Sequence, residues 1–233
     1  MKTDKKIIIT MDGTCGSGKS TLARRLAERL GFIYLDTGAM YRALTWKALR
    51  SFVEMNDREA LIELARNTEI QLRRGERGTR VIVDGQEVTE VIRTPEVTNA
   101  VKFLADIPEV RQEMVARQRV LGGAGEVVVE GRDTGTVVFP GADYKFYVDA
   151  PLSVRTNRRF QDFQEKKSEL SREEVRSDLV DRDRADRSRK VGGLRVAEGG
   201  IIIDTGDTDD PEVNLSKILD YLPDSIRHSG TER

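Results

Sequence analysis

The chain is 233 residues long and carries a formal net charge of -1, with 39 Lys and Arg against 40 Asp and Glu. One His and one Cys exclude a Cys/His zinc centre, a disulfide framework and any chemistry that needs two histidines. The charge balance argues against nucleic acid or a membrane surface as partner, and no apolar run approaches the roughly 18 residues of a membrane span, so a soluble cytoplasmic protein is expected.

Ile7, Ile8 and Ile9 form a β-branched run that suits a strand buried on both faces. Beyond a glycine loop, Leu22, Ala23, Leu26, Ala27 and Leu30 recur at helical spacing, with Gly31 as the C-cap. Residues 32–35 read as a second strand, and a helix starting near Thr37 carries Met40, Tyr41, Leu44 and Ala48 on one face, where Trp46 is a packing residue. This alternation predicts a parallel α/β sheet. After Arg66 the pattern changes: residues 69–73 and 80–83 are short strand-like segments, and Asp84-Gly85 is a turn signal, so a small antiparallel insertion is expected at about 68–90. Thr94-Pro95 and Ile107-Pro108 each open a helix.

Three later strands end in a carboxylate: 127–129 before Glu130, 144–148 before Asp149, and 201–203 before Asp204. Ligands of open α/β sheets bind beyond the carboxyl ends of strands, which makes these positions candidates for a site; a general preference of acids for turns is the alternative. Between them, 155–190 is polar and helical, with Ser171 and Glu174 at capping-box spacing. Its mixed charges suit a solvated helix face laced with i,i+4 pairs. The end of the chain, with His228, is polar and carries no assigned role.

The chemistry is carried by Gly13-Thr14-Cys15-Gly16-Ser17-Gly18-Lys19-Ser20, which matches G-x-x-x-x-G-K-[ST] with a strand before it and an amphipathic helix after it. Such a loop converges backbone N–H groups on the phosphates of ATP, and the binding segment runs through Thr21. Lys19 would neutralise the transferring group and Ser20 would ligate Mg²⁺. A guanine-specific GTPase would need an Asn-Lys-x-Asp tetrapeptide, and none occurs. With a P-loop present, 155–190 also suits a lid that supplies cations and excludes water. Cys15 occupies a variable loop position and has no second Cys to resolve an oxidised form.

Further blocks are more specific. They include Asp36-Thr37-Gly38-Ala39-Met40-Tyr41-Arg42, Asp84-Gly85-Gln86-Glu87-Val88-Thr89, Ile92-Arg93-Thr94-Pro95-Glu96-Val97, Ile107-Pro108-Glu109-Val110-Arg111, Gln118-Arg119 and, above all, Glu130-Gly131-Arg132-Asp133-Thr134-Gly135-Thr136-Val137-Val138-Phe139-Pro140. In this order they closely resemble the bacterial-type cytidylate kinase family of P-loop nucleoside-monophosphate kinases. The resemblance implies a single domain with the three-layer α/β P-loop fold: a core at 1–67 and 91–233 around a central parallel sheet, an inserted acceptor-binding subdomain at about 68–90, and a helical lid at about 155–190. It implies ATP with Mg²⁺ as phosphoryl donor, CMP or dCMP as acceptor, and a monomer.

Site roles follow from the same resemblance. Arg42 and Arg132 would hold the acceptor phosphate, Asp133 and Arg111 would read cytosine with Thr37 nearby, Arg182 and Asp186 would address the sugar, and Arg189 would bridge the phosphates. Lys19, Arg132 and Arg189 form the expected catalytic set. Arginine's planar fork fits phosphate, and a carboxylate accepts from the exocyclic amine of cytosine but repels a carbonyl in its place. Thr14 and Cys15 depart from the family pattern, as does Lys102, which stands where a cytosine-contacting Ser is expected. Gly192-Gly193-Leu194 replaces an Ala-Pro-Leu stretch and would loosen the lid hinge.

Overall fold

The computed structural model describes residues 6–75, 78–165 and 170–227; Lys166, Lys167 and His228 lie outside the described residues. Strand β1 (Ile8–Gly13) leads through the glycine loop into α1 (Lys19–Leu30), β2 (Ile33–Asp36) and α2 (Thr37–Arg50). Helix α3 (Arg58–Asn67) and strands β3 (Ile70–Gly75), β4 (Gly78–Val83) and β5 (Gln86–Glu87) come next. A 3-10 turn (Val91–Arg93) precedes α4 (Pro95–Ala105) and α5 (Pro108–Gly122). The chain continues with β6 (Val127–Gly131), a π-helical turn (Thr134–Val138), β7 (Tyr144–Asp149), α6 (Leu152–Glu165), α7 (Arg172–Ser188), β8 (Ile201–Asp204), α8 (Pro211–Leu219) and α9 (Asp224–Arg227). No helix among the described residues is long and apolar enough to cross a membrane.

The main sheet is parallel throughout, in the order β2-β6-β1-β7-β8. Successive side chains of a strand point to opposite faces, and each face has its own core. Val127 and Val129 pack with Met40, Leu44 and Met114 on one side, whereas Val128 packs with Leu22, Leu26 and Ile218 on the other. Covered on both faces, the strands read as continuous apolar runs rather than alternating ones. The architecture is therefore the expected three-layer α/β P-loop fold. Because β1 is flanked by β6 and β7, both later in sequence, the strand order reverses there, and the crevice beyond its carboxyl end is where such sheets bind ligands.

The antiparallel sheet β3-β4-β5 falls inside the predicted insertion, with a hairpin register running from Ile70 opposite Val83 to Gly75 opposite Gly78. Helix α3 was not foreseen; Asp57 caps it by accepting from Ala60 N, and it buries Leu61 and Ala65. The predicted caps are in place: Thr94 accepts from Val97 N at the start of α4, and Ser171 with Glu174 forms a capping box on α7. Helices α6 and α7 form the hairpin at the predicted lid position.

Candidate active site

The glycine loop is braced from below. A Cβ on Gly13 would lie 2.0 Å from the carbonyl oxygen of Val148, so only glycine permits this approach of β1 to β7. Thr14 Oγ1 donates to Asp149 Oδ1 at 2.6 Å, Ser17 Oγ donates to Thr14 O at 3.0 Å, and Thr205 Oγ1 donates to Ser17 O at 2.9 Å. Arg155 Nη1 donates to Cys15 O at 3.1 Å. Thr14 and Ser17 thus turn their side chains inward, which leaves backbone amides to face the crevice. Among the strand-end acids, Asp149 supports the loop and Glu130 enters it, while Asp204 accepts from Gly206 N and shapes its own turn.

Glu130 is the hub of the site. Its Oε1 accepts from Lys19 Nζ at 2.8 Å and from Ser20 Oγ at 2.5 Å, and its Oε2 accepts from the hydroxyl of Tyr34. Burial alone would raise its pKa, but the Lys19 charge and these three donors overcome that and hold the carboxyl at about 2. Burial and the Glu130 charge push the Tyr34 hydroxyl up, so it remains a donor. Asp12, two residues before Thr14, is a second buried acid: Oδ1 accepts from Thr134 N and Oγ1, and Oδ2 from Gly135 N, each at 2.8 Å. Burial outweighs the N–H and hydroxyl donors and raises its pKa to about 6. Asp12 pins the turn that follows Arg132 and Asp133 to the end of β1.

The remaining predicted residues gather in one cavity of about 1130 Å³, above the roughly 300–1,000 Å³ usual for one small-molecule site and wide enough for two nucleotides. Arg42 Nη2 donates to Asp36 Oδ2 at 2.9 Å, while Asp36 Oδ1 caps α2. Arg132 Nε donates to Asp186 Oδ2 at 2.6 Å, and Arg189 bridges Asp186 at 3.1 Å and Asp106 at 2.8 Å. Burial pulls the Arg132 pKa down, but the Asp186 carboxylate outweighs it and leaves the guanidinium firmly charged. Arg111 donates through Nη1 to Ala105 O at 3.1 Å and through Nη2 to Asp133 Oδ2, and it lies over the Tyr41 ring. Thr37 Oγ1 donates to Glu130 O at 2.7 Å, which fixes the start of α2 to β6. Arg182 meets Asp178 of its own helix at 3.5 Å.

The sequence of the cytidylate kinase family matches residues 9–223. The chain belongs to that family. It is 44% identical over 205 residues to a cytidylate kinase of Caldanaerobacter subterraneus subsp. tengcongensis, covering 88% of this chain and 90% of the relative. Against a cytidylate kinase of Enterococcus faecalis it is 45% identical over 227 residues, covering 97% and 98%. It is also 42% identical to the bifunctional pantoate ligase/cytidylate kinase of Synechococcus sp. (strain JA-3-3Ab), and there it spans 43% of that protein's length.

Three features of this family member differ from the sequence-based picture. Among the described residues, none of β3, β4 or β5 lines the cavity; that wall is made by Arg93 and by Thr98, Asn99, Val101, Lys102 and Ala105 of α4, with the antiparallel sheet behind α2. Arg155, expected in the lid from its sequence position, is only 5% exposed and pairs with Asp183 of α7 at 2.8 Å, so it joins α7 to the P-loop. The glycine pair after Arg189 is packed, not loose: Gly192 has φ 70° against the Arg111–Asp133 pair, and Leu194 is buried with its N–H donating to Asp186 O at 2.8 Å. Asp12, Tyr34 and Asp106 carried no site role in the sequence reading, and Glu130 was a strand-end candidate with no partner assigned. An acid inside the apolar run of β1 was the available signal for Asp12.

Proposed function

We propose that this chain transfers the γ-phosphoryl group of ATP to CMP or dCMP, giving ADP and CDP or dCDP. The observation that carries this reading is the convergence of Lys19, Arg42, Arg132 and Arg189 on one cavity that also holds the buried Arg111–Asp133 pair. The loop amides and Lys19 take the donor phosphates, and Arg42 and Arg132 hold the acceptor phosphate with their planar forks. Arg182 and Asp186 meet the sugar, and Arg189 stabilises charge on the transferring group. Asp133, with Oδ2 committed to Arg111, accepts from the exocyclic amine of cytosine through Oδ1.

Ser20 Oγ and Glu130 Oε1 stand 2.5 Å apart, a hydroxyl beside a carboxylate, the hard oxygen donors that suit Mg²⁺. When bound, Mg²⁺ neutralises charge on the donor phosphates. The chain's own work is to position the nucleotides in line and to exclude water, which would compete as acceptor. No general base is assigned, because a phosphate monoester has a second pKa of about 6 and is already mostly ionised at neutral pH.

ADP release with Mg-ATP and a panel of CMP, dCMP, AMP and GMP tests the reading. The cytidine acceptors should be preferred by orders of magnitude in kcat/KM. A purine preference, or ATP turnover indifferent to acceptor, would overturn it.

A further inference from the structure

The cations lining the cavity are pre-paired, with one exception. Every other Lys or Arg side chain of the lining has a carboxylate oxygen at 3.9 Å or closer. Among the described residues, Lys102 is the lining cation with no carboxylate partner; its ammonium instead lies 5.5 Å from the ring centroid of Phe103. Lys102 belongs to α4, three residues before Ala105, and residues at that spacing share a helix face. Ala105 O is the acceptor that holds Arg111, whose other nitrogen holds Asp133. Lys102 is therefore rooted one helical turn from the anchor of the pair that reads the base, and it lines the same cavity.

An ammonium donates and never accepts. At the edge where cytosine offers an amine to Asp133, uracil offers a carbonyl, which would meet that carboxylate oxygen to oxygen. A flexible donor rooted in this wall and able to swing to that edge reverses the sign of the encounter, since it can bond the carbonyl and neutralise Asp133 together. Lys102 is exposed and its four-carbon stem is flexible, so with cytosine in place the ammonium can turn out to water. We propose that Lys102 widens the acceptor range of this site, so that the chain phosphorylates UMP as well as CMP. This rests on the cytidylate kinase reading above.

Steady-state rates with CMP and UMP as acceptors, compared across the unaltered chain, Lys102→Ser and Lys102→Arg, test the proposal. The unaltered chain should use UMP with kcat/KM within roughly a hundredfold of CMP, and Lys102→Ser should raise the CMP-to-UMP ratio by roughly tenfold or more, the worth of one hydrogen bond to a charged group. Lys102→Arg, which keeps a charged donor, should hold the ratio near that of the unaltered chain. Turnover of CMP with a ratio that Lys102→Ser leaves unmoved, or with UMP unused, overturns the proposal and leaves the cytidylate kinase reading standing. Turnover of neither acceptor overturns both. The position is exposed on a helix face, so loss of folding does not confound the comparison.

Discussion

Replacing Glu130 by Gln tests the hub of the site. Gln keeps the shape and an acceptor for Ser20 and Lys19 but removes the charge, leaving a buried ammonium without a counter-ion. The Lys19–Glu130 pair is 2.8 Å long and each side chain is 6% exposed, so solvent screens it little. Breaking a buried pair by removing one partner costs about 3–5 kcal/mol. The same pair and its hydrogen bonds hold the carboxyl well below its ordinary 4.5, so the fold favours the charged form. Because its folded pKa is depressed, the stability this lends is fully present above pH 4.5 and is lost as pH falls toward 2. Urea denaturation of both proteins at a series of pH values should show Glu130→Gln about 3–5 kcal/mol weaker at pH 7, with the gap shrinking below pH 4.5. Equal stability at neutral pH, or a gap indifferent to acid, would refute the reasoning.

Asp12 should behave with the opposite sign. Its folded pKa of about 6 lies above the ordinary 3.8, so the fold holds its proton more tightly, and the stability it lends below pH 3.8 is lost as pH rises through 6. Relative to Asp12→Asn, the unaltered chain should lose about 3 kcal/mol across that window, and a constant difference in paired urea titrations would contradict this. Gly192→Ala would place a Cβ 2.2 Å from both Arg111 Nη2 and Asp133 Oδ2 at a left-handed φ; a strain of about 1–2 kcal/mol should raise KM for CMP roughly tenfold and spare KM for ATP. An unchanged KM for CMP would detach the Arg111–Asp133 pair from base recognition. Asp133→Asn should lower the CMP-to-UMP ratio of kcat/KM, and an unaltered ratio would place base reading elsewhere.

What was legible in the sequence is what local pattern encodes. The β-branched run at Ile8 and Ile9, the 3.6-residue stripe from Leu22 to Leu30 and the caps at Thr94 and Ser171 each need only neighbouring residues, and each appears in the fold. Helix α3 buries only Leu61 and Ala65, too sparse a stripe to announce itself. The π-helical turn after Asp133 has no periodic signature at all; Asp12, 122 residues away from Thr134, holds it in place. The motif assigns Lys19 to phosphate, but its resting partner Glu130 lies 111 residues away and is chosen by the register of β1 beside β6. Arg155 shows the same limit from the other side: its composition context is that of a solvated lid, while its place at the start of α6 puts it under the loop.

The pairing of cations explains how a chain of net charge -1 builds a site for one nucleoside triphosphate and one monophosphate. Unanswered guanidinium groups crowded into one partly buried cavity would repel one another and resist folding. Here Asp36 answers Arg42, Asp133 answers Arg111, Asp186 is shared by Arg132 and Arg189, and Asp106 takes the remaining face of Arg189. A phosphate entering this network exchanges one oxyanion for another at arginines already desolvated and oriented, so much of the ordering cost is met during folding. Arg189 joins Asp106 at the end of α4 to Asp186 on α7 and so links these two helices. A phosphate that draws Arg189 away from Asp106 must therefore change the contact between those two elements.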